Sequence, residues 1–103
     1  MIDKTFLENV PSIDEGKMEK KFYARLFIPF TINGWYVMGA DKVGNDYKLF
    51  VVEKWNTPLV LRIYTKTVLL SELVGKFNTL KVDNEWNVVY AFSIFSNIKG
   101  LNR

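Results

Sequence analysis

Hydrophobic and polar residues alternate in four stretches of the chain, and each stretch predicts a β-strand. The stretches are Phe22 to Ile28, Trp35 to Ala40, Tyr47 to Glu53 and Leu59 to Thr65. They are rich in Val, Ile, Tyr, Phe and Trp, residues that fit a pleated and half-buried surface. Pro29 and the pair Asn33-Gly34 punctuate the connection between the first two stretches, which favours an antiparallel pairing.

The alternation also predicts which side chains face the core. Successive residues of a strand point to opposite faces of its sheet. We therefore expect the even-numbered apolar residues from Phe22 to Ile28 on one face. In the fourth strand we expect the odd-numbered residues from Leu59 to Ile63 inward, with Arg62 and Tyr64 on the outer face.

Two stretches have the spacing of short helices. Asp3 to Val10 begins with a residue that can cap a helix and is stopped by Pro11. Leu69 to Val74 places leucines at helical spacing, and Gly75 follows as a candidate residue just beyond the helix end.

The remaining segments are predicted as loops and edge elements. Ser12 to Gly16 is expected to be a polar loop and Asp41 to Asp46 a turn. Leu80 to Val82 is expected to be a short edge strand. Trp86 to Ile94 fits either a strand or a helix, and its β-branched and aromatic content favours a strand. The sequence thus predicts one α+β domain over residues 1–103, with an antiparallel sheet of four to six strands and short helices on one face.

Composition excludes several kinds of chemistry. The 103 residues include no Cys and no His. Disulfides, Cys/His zinc sites and Ser-His or Cys-His triads therefore cannot form within the chain. The glycines match neither a phosphate loop nor a dinucleotide-binding fingerprint. We expect no enzymatic activity, no cofactor and no metal.

Charge and hydropathy favour a cytoplasmic protein. The net charge of +3 is compatible with a polyanionic partner without requiring one. The N-terminal residues lack the order of a signal peptide, and no apolar run approaches the roughly 20 residues that span a bilayer. We therefore expect no membrane partner.

Three carboxylates flank the third strand, namely Asp41, Asp46 and Glu53. Two of them could act as an acid/base pair or hold Mg²⁺. Asp41 and Asp46, however, sit among turn-forming residues, so solvated turn positions are the favoured interpretation.

A basic cluster runs from residue 17 to residue 25 and comprises Lys17, Lys20, Lys21, Tyr23 and Arg25. Cations beside an exposed aromatic ring can hold a phosphate backbone and stack a base. This cluster supports an alternative function as a nucleic-acid-binding accessory module. Glu15 and Glu19 reduce the net positive charge of this segment. The competing interpretation is a solvated linker and strand edge.

Aromatic residues are abundant, with three Trp, five Tyr and eight Phe. Trp55 falls in a predicted connector beside Pro58, and exposed Trp and Tyr with Arg are common anchors of protein interfaces. We predict a partner-binding patch of Trp55, Arg62 and Tyr64. The alternative is that Trp55 folds back as a lid over the core.

The order of motifs resembles a small family of uncharacterised bacterial domains carried mostly on plasmids, phages and other mobile elements. The resemblance covers about residues 3 to 87 and rests on six stretches: Phe6 to Pro11, Leu26-Phe27-Ile28-Pro29, Trp35-Tyr36, Leu49-Phe50-Val51-Val52, Leu70-Ser71-Glu72-Leu73 and Leu80-Lys81-Val82-Asp83. The chain departs from the family pattern in three places. It has Ile63-Tyr64-Thr65-Lys66 where the family has a Glu-Leu-Gly-Tyr-like stretch, and it lacks a Ser or Thr cap directly before Leu70. Its residues beyond Asn87 have no counterpart in the family. The resemblance implies an α+β fold and a mobile-element origin, with no catalytic residue to carry over.

These observations favour a small non-enzymatic interaction protein of a phage or mobile element. The expected partner is a host protein, with a nuclease of a defence system such as CRISPR as the expected class, so that the chain would act as an anti-defence inhibitor. A homodimer is compatible with the sequence. Nucleic-acid binding through the basic cluster is the alternative.

Overall fold

The computed structural model describes residues 2–103, and short helices and strands follow one another along the chain. A 3-10 helix occupies Lys4–Leu7. The other elements are α1 (Ile13–Glu19), β1 (Lys21–Phe22), β2 (Ala24–Phe27), β3 (Gly34–Val43), β4 (Asp46–Asn56), β5 (Leu61–Leu69), α2 (Leu70–Lys76), β6 (Lys81–Val82), β7 (Val89–Tyr90) and α3 (Ala91–Ile94).

Five of the strands form one antiparallel sheet in the order β5-β4-β3-β2-β6, and β1 pairs separately with β7. The predicted α+β class and antiparallel sheet are confirmed. The predicted edge strand near Leu80 is β6, which pairs with β2. Strand β3 extends past its predicted stretch through Val43, so the predicted turn of Asp41 to Asp46 is reduced to Gly44, whose φ is +61°, and Asn45. Strand β4 extends past its predicted stretch mainly at its C-terminal end, to Asn56.

Apolar side chains are buried on both faces of the sheet. On the face covered by α2, Trp35 and Val37 pack with Leu70 and Leu73. On the face covered by α1 and the C-terminal segment, the intervening Tyr36 and Met38 pack with other residues, among them Ile13, Phe50, Phe95 and Ile98. We call these the α2 face and the α1 face. The helices therefore pack on both faces, whereas the sequence suggested one.

The first predicted strand is broken at Tyr23. Its two parts belong to different pairings, since β1 pairs with β7 and β2 pairs with β3 and β6. Phe22 consequently lies in the core of the α1 face, while Ala24 and Leu26 lie in the core of the α2 face. The prediction that Phe22 shares a face with Leu26 is wrong, because the break shifts the alternation.

The segment predicted as a polar loop begins helix α1. Ser12 caps it by accepting a hydrogen bond from the backbone N–H of Glu15 at 3.3 Å. Ser-x-x-Glu is the signature of a capping box, so the sequence carried the signal. The helix ends at Glu19, and the following Lys20 has a left-handed φ of 55° and donates its backbone N–H to the Gly16 carbonyl.

Helix α1 lies unusually close to the backbone of β3. A Cβ atom built on Gly16 would come within 2.2 Å of the Met38 carbonyl oxygen, and one on Gly39 within 2.7 Å of the Ile13 Cα. The pairing of β3 with β4 shifts by one residue between Val37 and Gly39. A bulge and two glycines thus allow helix and strand to touch through their backbones.

The C-terminal segment is mostly not the strand predicted for Trp86 to Ile94. Only Val89 and Tyr90 pair as β7, and α3 follows at once. Ala91 and Phe95, four residues apart, are buried, while Val88 and Ile94 are exposed. Burial therefore follows helical spacing here, and the apparent alternation is misleading.

Helix α2 has no side-chain cap of its own and receives one from the β3–β4 turn. Asp46 accepts hydrogen bonds from the Ser71 backbone N–H at 3.2 Å and from the Ser71 hydroxyl. The hydrogen bond from the Ser71 hydroxyl is the main cause that lowers the pKa of Asp46 below its ordinary value of 3.8, and the bonds from the backbone N–H groups of Tyr47 and Ser71 add to it. Gly75, predicted to lie beyond the helix, is inside α2.

This cap makes stability depend on pH in a defined direction. Since folding lowers the pKa of Asp46, its contribution is present above pH 3.8 and is lost as pH falls through the lowered value. Asp46→Ala should therefore lower the urea midpoint at neutral pH, and the gap from wild type should close in acid. Glu85→Ala, at an exposed carboxylate, is the control. A gap that stayed constant in acid would contradict the cap.

Among residues 2–103, no helix combines the length and apolar character needed to cross a membrane.

Candidate functional site

The β4–β5 hairpin brings the three predicted patch residues onto one face. Trp55 pairs directly with Arg62, and Glu53 pairs directly with Tyr64. Directly opposed residues of paired strands project to the same side. Trp55, Arg62 and Tyr64 therefore form one surface, which we call the aromatic–arginine face. It is part of the α2 face, so the prediction of an uncovered outer face is corrected.

Trp55 lies in β4, not in a connector, and it is half-buried. Its ring packs against Trp35 with centroids 6.0 Å apart and against Phe77 at 5.5 Å. Trp35 also contacts Phe77 at 5.1 Å. One side of the Trp55 ring therefore covers the core, as the lid interpretation expects. The other side remains accessible to solvent.

A cleft of about 300 Å³ opens beside these aromatic residues. Its lining includes the rings of Trp55, Tyr64 and Phe77 and the charged side chains of Lys66, Lys76 and Glu72. Large rings with flexible cations around them can contact both the apolar and the polar parts of a partner surface.

The base of the cleft holds a buried carboxylate. Glu53 is 7% exposed. Its Oε1 accepts a hydrogen bond from Trp35 Nε1 at 2.7 Å and lies 3.7 Å from the Lys66 ammonium. These contacts fix the wall of the cleft, because a buried carboxylate requires such partners.

The three carboxylates considered from the sequence serve separate structural contacts. Asp41 accepts the backbone N–H of Ile13 at 3.2 Å and so helps to hold the start of α1. Asp46 caps α2 and Glu53 holds Trp35. Within residues 2–103, no three acidic side chains gather as a metal site would need.

Most residues of the basic cluster make contacts with other parts of the chain. The Lys17 ammonium lies 5.0 Å from the Phe50 ring centroid, and the Lys20 ammonium donates to the Asn102 backbone carbonyl. Arg25 forms an ion pair with Asp83 at 3.1 Å and stacks over Phe27. Lys21 is exposed in β1.

Tyr23, the aromatic member of the basic cluster, also makes a hydrogen bond within the protein. Its hydroxyl donates a hydrogen bond to Glu19, and this bond is the main cause that raises the pKa of Tyr23 to about 12. The negative charge of Glu19 therefore lies beside the ring proposed to stack on a base. This arrangement does not favour the nucleic-acid alternative.

A second feature at the same end of the sheet was not recognised in the sequence. Phe30, Ile32, Leu59 and Val60 are exposed large apolar residues on the β2–β3 and β4–β5 loops, and we call them the apolar end. Leu59 is 95% exposed. It precedes β5, so its predicted inward position is wrong. Leu61 is half-exposed, and Ile63 packs against the core of the α1 face.

Phe30 is held in a conformation that aromatic residues seldom adopt. Its φ is +65° and its side chain is fully exposed. A left-handed backbone costs a non-glycine residue about 1–2 kcal/mol. Stability alone does not explain a strained, exposed ring.

We expect Phe30→Gly to leave the free energy of unfolding unchanged or to raise it by up to about 1 kcal/mol. Glycine relieves the left-handed strain and removes no buried contact. Ile32→Gly, at an exposed loop position without positive φ, should instead cost about 0.5–1 kcal/mol. Urea titration measures both. A loss above 1 kcal/mol for Phe30→Gly would mean that the ring packs against the protein.

Comparison of the chain with protein-family models, with curated proteins and with solved structures finds no match.

Proposed function

We propose that this chain is a non-enzymatic protein-binding domain whose contact surface is the aromatic–arginine face. The observation that carries the proposal is the direct pairing of Trp55 with Arg62 beside the cleft that Tyr64 and Phe77 line. Trp, Tyr and Arg are the residues most enriched among those that dominate binding energy at interfaces.

The packing of Trp55 supports this proposal energetically. Trp35 and Phe77 hold the inner side of the indole, so little side-chain freedom is left to lose when a partner covers its outer side. Arg62 is exposed and can reach a carboxylate or an aromatic ring of the partner. Truncating such an anchor typically costs about 2 kcal/mol or more of binding energy.

The partner that we propose is a host protein, with a nuclease of a defence system such as CRISPR as the leading class. Support for this part comes from the resemblance to domains of mobile elements. A chain of 103 residues can block such an enzyme by covering its substrate channel. The proposed role is thus anti-defence inhibition, which needs no chemistry from the chain itself.

Affinity capture from a bacterial host lysate tests the binding surface. Arg62→Glu should abolish recovery of a stoichiometric partner, because it reverses the exposed charge that lies directly beside Trp55. Lys48→Glu, the same change at another exposed position, should leave recovery intact. Trp55→Ala is less informative, because Trp55 also packs against the core. Equal recovery with both charge-reversal variants would refute the assigned surface.

The partner class is tested separately. Cells with an active CRISPR nuclease should accept a targeted plasmid when the wild-type chain is expressed and reject it when Arg62→Glu is expressed. If the plasmid is rejected in both cases while capture succeeds, the domain binds a protein of another class.

A further inference from the structure

Two loops project together from one end of the sheet and form the apolar end. Asn56 donates its backbone N–H to the Asn33 side-chain oxygen at 2.8 Å and so ties the two loops to each other. Gly34 also pairs directly with Lys54, so the loops leave the sheet from neighbouring strands at the same level.

Taken together, the two segments that contain the loops of the apolar end carry cations and no carboxylate. No carboxylate occurs from residue 26 to 34 or from residue 54 to 63. One row of cross-strand partners runs across the sheet through Lys81, Phe27, Gly34 and Lys54. Arg62 belongs to the next row toward the loops and lies on the α2 face. Three cations thus lie at the end of the sheet from which the exposed apolar side chains project.

This arrangement complements an anionic lipid surface. Apolar side chains can enter the boundary between headgroups and acyl chains, while lysines and arginines meet lipid phosphates. Fluid lipid accepts isolated, fully exposed side chains such as Phe30 and Leu59. A protein partner would need a matching cavity for each of them, since protein interfaces are packed as densely as interiors.

A second copy of the chain fits this surface poorly. A symmetric dimer contact would place the same patch of both copies face to face. The cations Lys54, Lys81 and Arg62 of both copies would then share one interface, and like charges brought close together disfavour association.

We propose that the apolar end docks the chain onto an anionic membrane surface through Phe30 and Leu59, with Lys54, Lys81 and Arg62 facing the lipid phosphates. The docking is peripheral and needs no membrane-spanning helix. It replaces the sequence-based expectation of no membrane partner, which rested on the absence of a signal peptide and of a spanning apolar run. It shares Arg62 with the aromatic–arginine face, and because its test uses lipid alone, its failure is distinguishable from a failure of the protein-binding proposal.

The absence of Cys from the sequence permits an unambiguous experiment. Phe30→Cys, Leu59→Cys and Met18→Cys are each labelled with a nitrobenzoxadiazole dye, whose emission rises and shifts to the blue on entering a bilayer. Met18 is 83% exposed on α1, away from the apolar end, and serves as the matched control. The labelled proteins are mixed at low salt with vesicles of phosphatidylcholine, with and without phosphatidylglycerol.

The expected result is a blue shift at positions 30 and 59 with the phosphatidylglycerol vesicles and none at position 18. Added salt should weaken the response, because the cations are screened. In co-flotation of unlabelled protein, Phe30→Ser should reduce vesicle binding about tenfold or more, from the lost burial of one large apolar side chain. A thermal melt identical to that of wild type shows that the variant is folded.

Three results would overturn the proposal. The first is no binding to phosphatidylglycerol vesicles at low salt. The second is binding without any spectral change at positions 30 and 59, which would indicate contact through other cations. The third is a wild-type dimer in solution that Phe30→Ser converts to a monomer, which would assign the apolar end to self-association.

Discussion

Trp35→Ala should bring the protein close to unfolding, with an expected loss of about 3–5 kcal/mol. A domain of this size has roughly 5–15 kcal/mol of stability in total. The Trp35 side chain is fully buried and packs against Trp55 and Phe77. Its removal would open a cavity that these neighbours cannot fill. It would also leave the buried Glu53 without its closest hydrogen-bond donor.

Trp35→Phe separates the two effects. It keeps most of the apolar volume and removes the indole N–H, so its expected loss of about 1–3 kcal/mol reflects the unsatisfied carboxylate. Adding Glu53→Leu to Trp35→Phe should recover part of that loss. Urea unfolding followed by circular dichroism provides the free energies. A loss below 1 kcal/mol for Trp35→Ala would be incompatible with a central position of the indole in the core.

Gly16→Ala should destabilise the protein by about 3 kcal/mol or more. The added methyl group would lie 2.2 Å from the Met38 carbonyl oxygen and 2.7 Å from its carbonyl carbon. These are backbone atoms inside a sheet, so neither can move aside without disturbing the pairing of β3 with β4. Helix α1 would have to lift away, which would expose Ile13.

Gly75→Ala is the matched control because Gly75 lies in α2, where an added Cβ meets no atom within 4 Å. Alanine favours helix over glycine by about 0.8–1.0 kcal/mol. The same substitution should therefore stabilise at residue 75 and destabilise at residue 16, as measured by urea midpoints. Stabilisation at both positions would show that α1 does not touch β3.

The sequence predicted the central sheet well because its signal is local. Strands β3 and β4 each contain a predicted stretch, β5 overlaps the stretch predicted for Leu59 to Thr65 from Leu61 onward, and Leu26 is buried as the alternation required. Boundaries were less accurate. The expected single strand from Phe22 hid a break at Tyr23, since a change of pairing partner leaves no mark on the pattern of apolar residues.

Helices are harder to predict where the capping residue or the residues that bury the helix are distant in the sequence. The Ser12–Glu15 capping box is a local signal for the start of α1, although the polar composition of Ser12 to Gly16 favours a loop. The cap that Asp46 gives to Ser71 joins residues 25 positions apart, so no window of sequence reveals it. In the last segment the alternation was a genuine strand signal. The buried pair Ala91 and Phe95 is recognisable as helical only once the second core is known.

The candidate surface was partly predictable. Trp55, Arg62 and Tyr64 were selected by residue type, and their common face depends on the pairing register of β4 and β5, which a loop from Thr57 to Val60 fixes. The sequence alone left that register open, because Trp55 was placed in the loop. The apolar end was missed because Leu59 continued an apolar alternation and Phe30 carries no sequence mark of its left-handed φ.

Site-specific photocrosslinking most directly tests the claim that the aromatic–arginine face binds a protein. Benzoylphenylalanine replaces Tyr64 in one variant and Tyr90, another tyrosine accessible to solvent, in a control. Both are irradiated in bacterial host cells. The expected result is one dominant adduct of defined mass from position 64 that is absent from position 90. No adduct at position 64, or the same adducts at both positions, would contradict the account.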